Sequence, residues 1–309
     1  MHIPVLQKEV LKCLDPKPNE NFIDCTIGGG GHTKGILEKT KPKGKVLGID
    51  SDNQQIENSK NYLSGFKKRL ILVNDSYINL KTIVRKNNFY PVKGILLDLG
   101  MSGWHLENSG RGFSFLRNES LDMRYDNKAC LTAREIINKW DQQEIERVLK
   151  ECGEERFSRE IAKAIIQTRK ETIIQTTSQL VGVIKKAVPL RYQHQRIHYA
   201  TKTFQALRIA VNDELNNLKK ILPQTIEILE NQGRLVIISF HSLEDRLVKN
   251  FLREEAKKKT IQILTKKPII ASFQELKINP RSRSAKLRAA VKKIKKFSPA
   301  GGTCSKLFL

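Results

Sequence analysis

Over the first hundred residues, short apolar runs ending in acids alternate with segments whose apolar positions recur at helical spacing. Val5, Leu6, Val10, Leu11 and Leu14 make one helical stripe across residues 3–14. Apolar runs at 21–25, 45–50, 70–73 and 92–98 read as strands, with helices at 33–39 and 54–62 between them. Strands alternating with helices imply a parallel sheet that binds ligands at the carboxyl ends of its strands. After Gly100 the periodicity stops. Residues 101–126 are rich in turn formers, but Phe113, Phe115, Leu121 and Met123 are interleaved among them, which predicts an ordered active-site loop rather than disorder.

From Leu131 to about Leu222 the pattern is helical. Thr132 with Glu135, Asp141 with Glu144 and Thr176 with Gln179 have the spacing of capping boxes. The last of these opens a helix with Leu180, Val183, Ile184 and Ala187 on one face, stopping at Pro189. A fifth strand follows at 233–240, and then a helix led by His241 with Leu247, Val248, Phe251 and Leu252 on its apolar face. The prediction is an α/β chain with a mostly parallel sheet and an inserted helical domain. Its parts are a core at 1–125, the insert at 126–222, the rest of the core at 223–296, and a loose tail at 297–309.

The chemistry concentrates at residues 22–36, where an apolar strand ends at Asp24, four glycines follow (Gly28 to Gly31), and His32 leads into the helix at 33–39. Glycine accepts positive φ and has no Cβ, so this backbone can turn sharply against a ligand. The next strand ends at Asp50, where such folds place the acceptor for two ribose hydroxyls, so the ligand contains a nucleoside. Asp24 would repel a pyrophosphate but suits a cationic amino group, which favours S-adenosylmethionine over a nicotinamide dinucleotide. The bland alternative, a glycine turn that binds nothing, is weakened by Asp50. Asp75 and Tyr77, after the third strand, are candidates for the base edge, and Tyr77 could equally be a packed aromatic. Asp98 ends the fourth strand, and three strand-end acids facing one crevice would make a site. His241 is either an acid/base group or a helix cap. Arg111, Arg117 and Arg124 in the irregular loop could meet phosphates, unless some of them pair with Glu119 or Asp122.

Charge narrows the partner. The 309 residues carry 56 Lys and Arg against 32 Asp and Glu, a formal net charge of +24, which points to nucleic acid or an anionic membrane. Between residues 256 and 296, 14 basic residues face the single acid Glu275, a bias suited to a phosphate backbone. There is no apolar run of about 18 residues and no apolar leader segment at the start, so a soluble, intracellular protein is expected. The five cysteines form no CxxC pair and read as free thiols. His194 and His198 lack the Glu of a zinc-protease motif, so no metal is expected.

Taken together, residues 2–6 (HIPVL), 24–32 (DCTIGGGGH), 94–100 (GILLDLG), 111–115 (RGFSF), 121–124 (LDMR), 153–157 (GEERF), 203–208 (TFQALR), 238–246 (ISFHSLEDR) and 279–288 (NPRSRSAKLR) resemble one family. It is the bacterial small-subunit ribosomal RNA (cytosine-N4) methyltransferases of type H, also called MraW. The resemblance implies a class I, Rossmann-like methyltransferase fold and transfer of a methyl group from S-adenosylmethionine to N4 of a cytidine in the decoding centre of 16S rRNA. The substrate would be the RNA within the small subunit, in the cytoplasm.

Carried over by position, the family's cofactor contacts fall on Gly30, Gly31, His32, Asp50, Tyr77, Asp98 and His105; Asp24 and Gly28 join them from the reading of the loop itself. Two departures stand out. Tyr77 occupies a position where Phe is common, and residues 102–105 read SGWH where the family pattern runs SSPQ. Asp98, with carbonyls of the 99–102 turn, is expected closest to the transferred methyl, and Arg111, Arg117, Arg124, Arg281 and Arg283 are expected on the RNA. DNA cytosine-N4 methylation is disfavoured because residues 98–101 read DLGM and lack a Pro-Pro turn. A non-catalytic RNA-binding or assembly factor is disfavoured because all three strand-end acids are retained.

Overall fold

The computed structural model describes residues 3–294; the tail expected at 297–309, with Cys304, lies outside them. A seven-stranded sheet organises the chain: β1 (Phe22–Asp24), β2 (Val46–Asp50), β3 (Leu70–Asn74), β4 (Gly94–Asp98), β5 (Arg234–Ser239), β6 (Ile261–Ile263) and β7 (Lys286–Lys292), in the spatial order β3-β2-β1-β4-β5-β7-β6. The first five strands run parallel, β7 runs antiparallel to β5, and β6 antiparallel to β7. The strand order reverses between β1 and β4, which opens a crevice at their carboxyl ends.

Both faces of the sheet are covered, which is why its strands read as unbroken apolar runs. Along β4, Ile95 and Leu97 enter one core and Leu96 the other, the alternation expected of a pleated strand. Helices α1 (Gln7–Leu14) and α2 (Gly31–Lys39) pack on the face of Leu96; α3 (Asn53–Tyr62) runs beside β2 and β3. Helix α4 (Leu80–Lys86) covers the opposite face.

After β4 come the short helix α5 (Gly103–Glu107) and then α6 (Ala133–Lys139), α7 (Gln142–Gly153), α8 (Ser158–Glu171), α9 (Thr177–Ala187), α10 (Leu190–Gln193) and α11 (Thr201–Val211). Helices α6, α7 and α9 begin with reciprocal capping boxes at Thr132, Asp141 and Thr176. These helices share a core of their own with Phe113, Leu121 and Met123, so the loop at 101–126 is ordered because it roofs that core.

Two expectations need correction. Helix α12 (Glu214–Ile228) places Leu218, Ile221, Leu222 and Ile226 in the core of the sheet, beside α13 (Ser242–Lys257). The insert's own core therefore ends at Val211, and Pro223 lies inside a helix rather than at a domain edge. The basic stretch after Ala256 is also more than a charged surface. It supplies two strands and a short helix α14 (Phe273–Ile278), with Leu287, Ala289 and Ala290 buried and Arg288 paired with Asp245 at 2.7 Å.

Candidate active site

The glycine turn is shaped by its neighbours. Gly28 and Gly30 adopt φ of +48° and +80°. A Cβ on Gly30 would lie 2.9 Å from Leu63 Cδ1, and one on Gly31 would lie 2.3 Å from Pro4 Cγ. Only glycine lets the loop settle between the N-terminal segment and α3.

Asp50 ends β2 at the edge of the crevice. Its carboxylate accepts the Gly28 N–H and the Asp52 N–H, each at 2.9 Å. Burial outweighs these two bonds and pushes its pKa up to about 7. Because the unfolded chain loses this proton first, Asp50 makes folding stability decline from about pH 4 to pH 7. A nucleoside that donates ribose hydroxyls to the carboxylate selects the ionised form. Affinity for such a ligand is therefore expected to fall about tenfold per unit as pH drops below 7, and to lose that slope in Asp50→Asn. Calorimetric titrations between pH 5.5 and 8 check this.

Asp24 is not in the crevice. The register pairs it with Gly48 and Leu96, two residues short of Asp50 and Asp98, so it lies beneath the turn. Its carboxylate accepts the Thr33 hydroxyl at 2.7 Å and the Thr26 N–H at 3.2 Å, holding the start of α2. Its predicted role as partner of a cationic ligand is corrected to that of an anchor.

Asp98 does face the crevice. Its N–H donates to Thr26 Oγ1 at 2.7 Å, while one carboxylate oxygen, Oδ1, is buried without a partner. His32, 6% exposed at the start of α2, approaches the other oxygen at 3.6 Å, and neither of its ring nitrogens makes a hydrogen bond. Buried polar groups are rarely left in this state unless a ligand completes them.

His105 is buried at the end of the SGWH segment. Its Nδ1 accepts the Ser102 N–H at 3.2 Å, which leaves Nε2 to donate to Asp52 Oδ2 at 3.0 Å. Burial holds the imidazole below its usual pKa despite Asp52. Arg111 reaches the same Asp52 oxygen at 2.5 Å, and its other amino group binds the carbonyls of Arg124 and Tyr125 and Oδ1 of Asn127. Arg111 is thus a buried bracket for the loop, which corrects its expected place on phosphate. Burial raises the Asp52 carboxyl, yet the His105 hydrogen bond and the Arg111 charge outweigh it and hold the pKa below the usual range. Arg124 is also engaged internally, with both oxygens of Asp122 and with the carbonyls of Asn127 and Ala129. Arg117 binds the Glu107 carbonyl and Arg281 the Glu107 carboxylate, all three side chains at the surface. Arg283 is exposed with no partner among the described residues.

His32, Asp50, Asp98, His105 and Arg281 line a cavity of about 550 Å³ to which both parts of the chain contribute. Asp50, Tyr77 and Asp98 contribute from the sheet, and Tyr125, Glu214 and Glu244 from the opposite wall. Tyr77 sits on the turn after β3 and packs partly against the sheet core; Asp75 is beside it, binding Asn79. The opposite wall was missed in the sequence. Arg208 grips Glu214 through two bonds of 2.9 and 3.0 Å, and Glu244 accepts the Phe240 N–H and lies 3.2 Å from His241 Nε2. Residues 203–208 and 238–246 are both family-like stretches, but the sequence suggests a role only for His241 among them. His241 caps α13 through Nδ1. Glu214, His241 and Glu244 come within 4.8 Å of one another, but Arg208 occupies both Glu214 oxygens, which makes the group an ion-pair network. Tyr125 OH is buried there without a partner.

The donor set fits a cationic nucleoside: Asp50 for hydroxyls, the incompletely paired Asp98 carboxylate for positive charge or an N–H, and a glycine turn that admits close approach. A profile of the MraW methylase family matches residues 1–293. The ribosomal RNA small subunit methyltransferase H of Heliobacterium mobile is 44% identical over 307 residues, covering 94% of this chain and 98% of its own length. The proteins of the same name from Persephonella marina and Clostridium botulinum are 45% identical over 289 residues and 42% over 306, with the same shares covered.

Proposed function

The chain belongs to the MraW methylase family, and from that premise we infer that it methylates small-subunit ribosomal RNA with S-adenosylmethionine, at N4 of a cytidine. The observation that carries this reading is the unpartnered Asp98 carboxylate beside His32, in one cavity with Asp50 at the strand-order reversal. When bound, the cofactor supplies a methyl group already activated on a sulfonium. The work left to the protein is placement, which contributes at most roughly 7–11 kcal/mol for well-oriented partners.

Asp50 would hold the ribose hydroxyls, and the glycine turn would admit close approach of the rest of the nucleoside. The Asp98 carboxylate would accept an N–H of the target amine. That bond would raise the electron density on the amine nitrogen, and the Asp98 carboxylate would take the proton that the nitrogen loses on gaining the methyl group. The target base has to be unstacked to reach Asp98. Arg281 at the rim of the cavity, with the exposed Arg117 and Arg283, then stands ready for flanking phosphates.

The DNA-methylating and non-catalytic readings are not favoured, given the relatives' names and the retained Asp50 and Asp98. No helix among the described residues is long and apolar enough to cross a membrane, which agrees with an enzyme that meets ribosomal subunits in the cytoplasm. Incubating unmethylated small subunits with labelled S-adenosylmethionine and hydrolysing the RNA to nucleosides should put the label in N4-methylcytidine. Label in another nucleoside would overturn the target atom, and no transfer would overturn the activity. Protein-free 16S rRNA is expected to be the poorer substrate, since a decoding-centre site has to be pre-arranged; equal rates would exclude a requirement for the particle.

A further inference from the structure

Next to the active-site cavity, across the Gly29 turn and residues 102–103, lies a second recess of about 650 Å³. Gln55, Asn58, Trp104, Glu107, Asn108 and Arg281 line it, Arg281 paired with Glu107. Gln55 is only 1% exposed, and its Nε2 finds no acceptor. An amide buried in that state is destabilising, and an acceptor on a ligand removes the cost. Trp104 is half-buried, with the Arg111 guanidinium over its ring at 5.3 Å. That guanidinium is itself fixed by Asp52, so the indole is a braced plane rather than a loose side chain.

A braced aromatic plane, carboxamides that both donate and accept, and an arginine at the rim together make the chemistry by which single-stranded RNA bases are held. We propose that this recess holds a nucleotide adjoining the target cytidine, its base stacked on Trp104 and accepting a hydrogen bond from Gln55 Nε2. The proposal rests on the reading of RNA as substrate. The recess shares Gly29, Ser102, Gly103 and Arg281 with the catalytic cavity. A Cβ on Gly29 would touch nothing within 4 Å. The turn there leaves an open saddle, over which an RNA strand can run from one recess to the other.

The test uses the full chain with unmethylated small subunits and S-adenosylmethionine. Gln55→Leu keeps the volume and removes the donor. It is expected to raise KM for subunits about threefold to tenfold, with kcat and cofactor affinity unchanged. Trp104→Ala should raise KM by about tenfold or more, and Trp104→Phe should recover most of that loss, because stacking needs only a ring. Unchanged KM in Gln55→Leu would mean that water satisfies the amide, and the proposal falls. It also falls if either variant loses cofactor affinity in step with subunit affinity, since the recess would then serve the cofactor. Should the wild-type chain transfer no methyl, the same variants compared by subunit binding alone decide the proposal separately from the activity.

Discussion

Asp98→Asn is expected to lower methyl transfer by at least about a hundredfold while leaving the protein folded, the scale on which removal of one preorganised active-site hydrogen bond is felt. The structure separates the two roles of this residue. Its backbone N–H, which Asn retains, fixes the end of β4 to Thr26 Oγ1, whereas Oδ1 of the side chain binds nothing in the protein. Exchanging the carboxylate for an amide removes the negative charge next to His32 and leaves a carbonyl able to accept in only one of the two side-chain orientations. Single-turnover transfer at saturating S-adenosylmethionine, with thermal melting as the control for folding, measures the loss. Full turnover in Asp98→Asn would show that the amine meets another acceptor.

The largest loss of stability is expected from Asp52→Ala, about 3–5 kcal/mol, because one deletion strands the buried Arg111 guanidinium and removes the acceptor of His105 Nε2. The sign of its pH dependence follows from the lowered pKa. An acid whose folded pKa lies below its unfolded value contributes stability above the unfolded value and loses it as pH falls through the folded one. The gap between wild type and Asp52→Ala should accordingly be full at pH 7 and narrow below about pH 4, as read by denaturant titration. The variant should also bind cofactor less well, since Asp52 is what ties residues 102–111 against the cavity. Stability equal to wild type would refute the bracket assigned to Arg111.

Much of this arrangement could be read in advance. The three capping boxes and the strands that end at Asp50 and Asp98 are local signals, and each appears in the fold where its residues suggested. The failures share a cause, which is dependence on a partner far away in sequence. Asp24 reads like Asp50 and Asp98, and only the pairing of Phe22 with Val46 and Gly94 shows that it stops two residues short of the crevice. Arg111 looks like a phosphate ligand until Asp52 is found beneath it. Strand β7 was hidden by its own charges, because Lys286 and Arg288 both lie near Asp245, and once Arg288 is paired it behaves as a strand residue. Helix α12 belongs to the sheet by its buried face, which no cap or breaker announces. The Arg208–Glu214 pair is built from two ordinary surface residue types that become a cavity wall only when α11 meets α12.

The position of the insert has a kinetic consequence. β4 pairs with β5 by setting Gly94 against Arg234, so the centre of the sheet closes only after a very long stretch of chain has been brought back on itself. Loop-closure entropy rises with the length of flexible chain enclosed, and non-local pairing is the slow part of folding. The helices between are rich in local contacts and carry their own start signals. Asn212 then ties the two ends of the excursion together, donating to the Met123 carbonyl at 2.7 Å and accepting the Tyr125 N–H at 2.8 Å. Folding of the insert ahead of the sheet shortens the effective loop by the 89 positions that separate Met123 from Asn212. In this way the part of the chain that walls the cavity also acts as the clamp that lets β4 and β5 find each other.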